Sequence, residues 1–192
     1  MTNKNIKKLV TSALLAAMTC IATMIIKIPT PTFGYIHLGD GLVLLCGVIL
    51  GPIGGALSAG IGSMFADLFS GYVSYAPATL IIKALTGGIA GFLFHRLSHV
   101  IRSAKSRYGA IVIGGLIGEA IMVFGYFAYE AALAAFGSGG FHQAALAAGI
   151  ASAAAGIPFN LVQGVVGIIL SILLLPVFSK VPDIREWIAT EW

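Results

Sequence analysis

Charge is what this sequence has least of. Only 9% of its 192 residues are Asp, Glu, Lys or Arg, against about 25% in soluble domains, which excludes an ordinary solvated surface. Cysteine is nearly absent too. Cys20 and Cys46 both lie inside apolar runs, so a disulfide framework is excluded and both read as packing residues. The glycines of Gly51-Pro52-Ile53-Gly54-Gly55 are not followed by Lys-Ser or Lys-Thr, so no phosphate-binding loop is present and no ATP hydrolysis is expected of this chain. Neither a Gly-x-Ser-x-Gly elbow nor a His-Glu-x-x-His pair occurs, and the expectation is a non-enzyme. His95 and His99 have a spacing that suits a metal, but no third ligand is near, and Arg96 beside them favours a headgroup or partner contact. No metal and no cofactor are expected.

What the chain does contain is hydrophobic residue, 58% of the total, at a mean hydropathy of +0.99. A helix needs roughly 20 apolar residues to cross the hydrocarbon, and about six such segments with short connections use up the length. The expected fold is therefore an all-α integral membrane protein. It has about six transmembrane helices in one compact bundle, and residues 1–192 form a single membrane-embedded domain. The 25 glycines and 7 prolines are spread through the apolar runs, which argues against disorder or a collagen pattern.

The runs read as follows. A first, Ile6 to Ile26, follows Lys4, Lys7 and Lys8 as a signal peptide would, but its length and the missing small-residue cleavage site mark a retained span. The two prolines of Lys27-Ile28-Pro29-Thr30-Pro31-Thr32 make the stretch to His37 a semi-extended loop. A short second run, Leu38 to Leu50, ends at a tight Gly51-Pro52 turn into a third, Ile53 to Phe69. A fourth covers Pro77 to Phe94, followed by a polar stretch from His95 to Tyr108. A fifth covers Ala110 to Phe136, and after Gly137-Ser138-Gly139-Gly140 a long sixth reaches from Ala144 to Phe178, with an amphipathic tail to Trp192.

Six spans put both termini on one side, together with nine of the 11 cations: Lys4, Lys7, Lys8, Arg96, Arg102, Lys105, Arg107, Lys180 and Arg185. The positive-inside rule makes that side cytoplasmic. The cations sit at segment ends and form no basic stripe, so the partner is the lipid bilayer and not nucleic acid. Small residues recur at spacing four: Ala13 and Ala17, Gly51, Gly55 and Ala59, Gly87 and Gly91, Gly114 and Gly118. Such faces let helices approach closely. For Ala13 and Ala17 a partner subunit is as good a reading as internal packing.

Ionisable groups within a span cost about 2.5–3.5 kcal/mol each on insertion scales and are functional candidates by default. Here Asp67, Lys83, Glu119, Glu130, Asn160 and Gln163 fall at mid-depth or in the outer half, and His37 and Asp40 open the second span. They would ring an outward cavity for a small, polar, partly aromatic solute, with Tyr35, Tyr72, Tyr75, Tyr126 and Tyr129 available to stack. A second reading is that Lys83 pairs with Asp67 or Glu119 merely to neutralise buried charge.

Four segments, Tyr35-Ile36-His37-Leu38-Gly39-Asp40, Gly51-Pro52-Ile53-Gly54-Gly55-Ala56, Asp67-Leu68-Phe69-Ser70-Gly71 and Ala76-Pro77-Ala78-Thr79-Leu80-Ile81-Ile82-Lys83, resemble in sequence and order the substrate-binding S components of energy-coupling factor (ECF) transporters. The resemblance covers nearly the whole chain. It implies vitamin uptake across a prokaryotic cell membrane, with a transmembrane coupling subunit and two cytoplasmic ATPase subunits as partners. It also implies docking of the coupling subunit on Ala13 and Ala17, and lids at Lys27 to His37 and Gly71 to Ala76. Within the family the chain is most similar to the pyridoxine or hydroxymethylpyrimidine branch, near riboflavin-type sequences. The expected substrate residues are His37, Asp40, Asp67, Tyr75, Lys83, Glu119, Glu130, Asn160 and Gln163. The alternative is a self-contained secondary transporter with Asp67, Lys83 and Glu119 as an ion relay.

Overall fold

The computed structural model describes residues 3–30, 34–100, 104–138 and 142–190. Pro31 and Thr32 of the first lid, Arg102, Gly139, Gly140 and the last two residues of the tail lie outside the described residues. In chain order the elements are α1 (Asn3–Ile25), β1 (Lys27–Pro29), β2 (Tyr35–His37), α2 (Asp40–Phe69), α3 (Ala76–Val100), α4 (Ala104–Gly137), α5 (Gln143–Ala154), α6 (Ile157–Phe178) and α7 (Pro182–Thr190). Among the described residues, five helices (α1, α2, α3, α4 and α6) are long and apolar enough to cross a membrane.

The element α2 holds both the second and the third apolar run. Gly51 sits at φ 76° and ψ −176°, a combination open essentially to glycine alone, and Pro52 then starts the next arm with φ already set for a helix. The chain reverses there. Along a straight helix residues 47 and 55 would be about 12 Å apart, yet a Cβ built on Gly55 would stand 2.4 Å from Gly47 Cα. One on Gly87 of α3 would meet both Ala59 Cβ at 2.9 Å and Val43 O at 3.0 Å. Residues 43 and 59, and 47 and 55, thus pair across the turn, and α2 is a helical hairpin whose two arms restore the expected count of six apolar arms.

Close backbone approach holds the bundle together. A Cβ on Gly47 would lie 2.1 Å from Gly87 O, and one on Gly91 would lie 2.6 Å from Gly47 O. Gly114 and Gly118 stand in the same way against the backbones of Ala90 and Thr86, so α4 presses on α3. The small-residue faces in α2, α3 and α4 are therefore internal packing. In α1 the backbone of Ala16 meets α2 at Gly62, and Thr19 lies 3.7 Å from Cys46 Sγ, whereas Ala13 and Ala17 are exposed. Near the Gly51 turn the core is aliphatic: Val43, Leu45, Val48, Ile49 and Leu50 pack with Phe94, Ile111 and Leu175. The amphipathic α7 closes that end by burying Ile184, Trp187 and Ile188 in the same core, while Lys7 pairs with Asp183 at 2.9 Å on its exposed side.

Three boundaries differ from the sequence expectation. The polar stretch after Phe94 is mostly helical, because α3 continues to Val100 and α4 begins at Ala104. The long sixth run is two helices, α5 and α6, separated at Ala155 and Gly156. Pro158 in the first turn of α6 lacks an N–H and its ring would clash with the carbonyl four residues back, so it suits a helix start at the break after Ala154 and disfavours a helix continuing through it. The loop between the first two runs forms a small antiparallel hairpin, pairing Lys27 with His37, Ile28 with Ile36 and Pro29 with Tyr35.

Candidate functional site

Lys83 lies about two turns into α3, where an unpaired ammonium would be prohibitive. It is fully buried, and its Nζ donates to Asp40 Oδ1 at 2.5 Å. Its partner is thus Asp40, at the start of α2, and neither Asp67 nor Glu119. Asp40 Oδ2 in turn accepts from Gln163 Nε2 at 2.7 Å, and Gln163 Oε1 accepts from the His37 backbone N–H at 2.8 Å. One chain of hydrogen bonds therefore ties α3, α2 and α6 to β2. Gly167 of α6 lets Glu119 in beside Asp40: a Cβ there would meet Asp40 Cβ at 2.8 Å and Glu119 Oε1 at 3.2 Å. The face of the Lys83 ammonium is covered by the Tyr126 ring, whose centroid is 5.3 Å away.

Above this layer is a cavity lined by Thr30, Gly34, Tyr35, His37, Asp67, Tyr72, Tyr75, Thr79, Tyr126, Glu130, Asn160 and Gln163. Six of the nine expected substrate residues line it. Asp40, Lys83 and Glu119 do not: the Lys83–Asp40 pair lies in the layer beneath, with the Glu119 carboxyl buried beside Gly167 in that layer. The lining residues absent from the expected substrate set divide into two kinds. Tyr35, Tyr72 and Tyr126 belong to the aromatic set that the sequence offers for stacking, and they line the cavity wall. Thr30, Gly34 and Thr79 carry no distinctive signal, since small and hydroxyl residues suit helix packing equally well. Thr79 Oγ1 and the Tyr126 hydroxyl lie 3.0 Å apart. Tyr129 stands behind Tyr75, edge-on at 5.4 Å, and its hydroxyl donates to Ser74 O.

The β1–β2 hairpin and the turn from Ser70 to Tyr75 cover the cavity. Tyr35 donates to Asp67 Oδ1 at 2.7 Å, and Lys27 donates to Ser70 Oγ at 2.9 Å. Gly34 lies flush on α4: a Cβ there would stand 3.3 Å from Glu130 Oε1. His37 Nδ1 accepts from the Gly39 N–H at 3.0 Å, which requires a neutral ring. Burial, which outweighs the pull of Asp40, holds its pKa down at about 4. Burial also raises the Tyr35 hydroxyl, reinforced by the carboxylate it faces, so it stays a donor at neutral pH.

So covered, the cavity has a free volume of only about 30 Å³, well below the ~300–1,000 Å³ of typical ligand pockets. It is narrow, and four of its twelve lining residues are tyrosines. A second cleft of about 310 Å³, lined by Ser74, Leu133, Ala134, Ser152 and Ala153, abuts it and shares Tyr72, Tyr75 and Glu130. His95 departs from expectation as well. It is buried, its ring edge-on to Phe94 at 5.1 Å, and so is not a headgroup contact. No group of three or more metal-ligating side chains occurs among the described residues.

Residues 3–180 match the family described as ECF-type riboflavin transporter, S component. The chain belongs to this S-component family. It is a multi-pass membrane protein and a transport component, not an enzyme. The thiamine precursor transporter HmpT of Lactococcus lactis subsp. cremoris (strain MG1363) is 28% identical over 182 residues, covering 94% of this chain and 92% of HmpT. An uncharacterized protein from the gap 3′ region of Pyrococcus woesei is 36% identical over 121 residues, 62% of this chain and 74% of that protein. Among solved structures, the S component of a bacterial ECF transporter superposes with a TM-score of 0.62 at 21% identity, covering 92% of this chain and 97% of the other. That likeness carries the fold: a helical membrane bundle of the S-component kind.

Proposed function

We propose that this S component captures a vitamin or vitamin precursor with a small heteroaromatic ring, pyridoxine or hydroxymethylpyrimidine, on the outer side of the membrane. The observation that carries the reading is the covered cavity itself: a tyrosine-rich pocket with two carboxylates and two amides, at the end of the bundle away from the cationic termini. One ring between Tyr35, Tyr72 and Tyr75 needs only modest opening, whereas the three fused rings of riboflavin need far more. The name of the Lactococcus relative, a thiamine precursor transporter, agrees, since hydroxymethylpyrimidine is the pyrimidine portion of thiamine. Exposed Ala13 and Ala17 on α1 serve as the docking face for a transmembrane coupling subunit, which two cytoplasmic ATPases drive.

The chain purified in detergent from vitamin-depleted cells should gain thermal stability with pyridoxine or hydroxymethylpyrimidine, because a ligand held at 100 times its Kd stabilises by about 2.7 kcal/mol. Stabilisation by riboflavin alone would reassign the substrate. In proteoliposomes with the coupling subunit and ATPases, Ala13→Trp should abolish uptake while binding by the solitary chain persists. Loss of binding as well would make that face an internal one.

A further inference from the structure

The lining of the cavity is one-sided in charge. It holds the carboxyl groups of Asp67 and Glu130 and, among the described residues, no Lys or Arg; positions 31–33 of the same lid are Pro, Thr and Phe and add none. The two cations nearest it lie outside the lining. Lys83 is fully buried against Asp40, and Lys27 is bonded to Ser70 with its Nζ 5.7 Å over the Tyr35 ring. Gln163 has both ends of its amide engaged, with His37 and Asp40. Asp67 by contrast has one oxygen bonded to Tyr35, while its other oxygen, Oδ2, is buried with no hydrogen-bond partner.

A buried acceptor without a donor is costly and calls for one. An N–H or O–H on the ring of a ligand supplies it, and a protonated ring or amine supplies it more strongly. An anionic substituent meets the opposite conditions: no cation among the described lining residues to pair with, two carboxyl groups nearby and little water to screen them. We infer that Asp67 is the specificity-determining residue of this site, accepting a donor from a neutral or cationic amino- or hydroxy-substituted heteroaromatic and excluding its phosphorylated form. The inference rests on the substrate reading above. It goes further in making discrimination depend on repulsion as well as on attraction.

The test uses the full chain in detergent and measures Kd by calorimetry for hydroxymethylpyrimidine, pyridoxamine, pyridoxine, the phosphate esters of the first two, and riboflavin. We expect each phosphate ester to bind at least tenfold more weakly than its parent. Asp67→Asn removes the charge and places an amide at the acceptor position; it should weaken the parents at least tenfold and narrow the parent-to-ester ratio. Glu130→Gln should narrow the same ratio and is read in its place if Asp67→Asn does not purify folded. Purely structural damage would lower all affinities together and leave the ratio unmoved. Esters bound within tenfold of their parents, or a ratio unchanged in the variant that folds, would overturn the inference while the substrate reading stands. Binding of riboflavin alone, or of nothing in the panel, would overturn that reading and the inference with it.

Discussion

The two ends of the bundle are built from different interactions. At the end that carries the Gly51 turn backbones touch: Gly47, Gly55, Gly87 and Gly91 bring three helical arms into contact, and aliphatic side chains with Trp187 fill what remains. At the opposite end side chains touch, and the ties are single hydrogen bonds, Tyr35 to Asp67, Lys27 to Ser70 and Tyr129 to Ser74. Backbone contact between close-packed helices has no intermediate positions, since a void or an added methylene is felt at once. A hydrogen bond worth about 1 kcal/mol net can open and close on demand. A protein that holds its helices fixed while admitting a ligand at one end needs both kinds, each in its place.

The largest effect should come from breaking the rigid end. Gly47→Leu drives a side chain into the Gly87 carbonyl and should leave little monodisperse protein, destabilising by more than about 3 kcal/mol because no side-chain repacking relieves a backbone clash. The control sharpens the comparison. Gly109 has nothing within 4 Å of where a Cβ would stand, so Gly109→Ala should be neutral or stabilise by up to about 1 kcal/mol through helix propensity. Thermal unfolding in one detergent compares the two directly, and equal effects would deny that position, rather than glycine loss, matters.

Next in size is the buried ion pair that separates the two ends. Lys83→Met leaves Asp40 as an uncompensated buried carboxylate and should cost about 3–5 kcal/mol, whereas the double variant Lys83→Met with Asp40→Leu should recover most of it, as replaced buried pairs often do. A double-mutant cycle on unfolding free energies reads the coupling. Additive losses would show that the two side chains act separately.

These comparisons also mark what the sequence made legible. Apolar runs about 20 residues long identify the spans because bilayer thickness sets their length, and Gly51-Pro52 announces a turn because no other pair combines a positive φ with a helix start so readily. The break at Ala155 and Gly156 was hidden by alanine, which is apolar enough to read as an unbroken span. The partner of Lys83 was hidden for another reason. Asp40 is 43 residues away and enters from the opposite end of a hairpin, so only the fold back at Gly51 brings the two together. Thr30, Gly34 and Thr79 could not be singled out, since nothing in their chemistry separates a cavity wall from a helix contact. The narrowness of the cavity was beyond reach as well, because it depends on where Tyr35, Tyr72 and Tyr75 place their rings.

The smallest effect belongs to the hydrogen-bonded end, and it is the one that tests whether that end works as a lid. Tyr35→Phe keeps the ring against Tyr72, 4.7 Å away, and removes only the hydroxyl that bonds Asp67 Oδ1. If the hairpin is a cover held down by such bonds, losing one should raise the ligand dissociation rate about tenfold, the equivalent of roughly 1.4 kcal/mol. Association should change little, since the open state that admits ligand does not contain the bond. Global unfolding should shift by less than about 1 kcal/mol, because the rigid end carries the stability. Stopped-flow dissociation from the purified chain gives the rate. A dissociation rate unchanged within twofold would mean that the hairpin closes over the site through packing of its rings alone, and the contrast between a welded end and a latched end would then lose its latch.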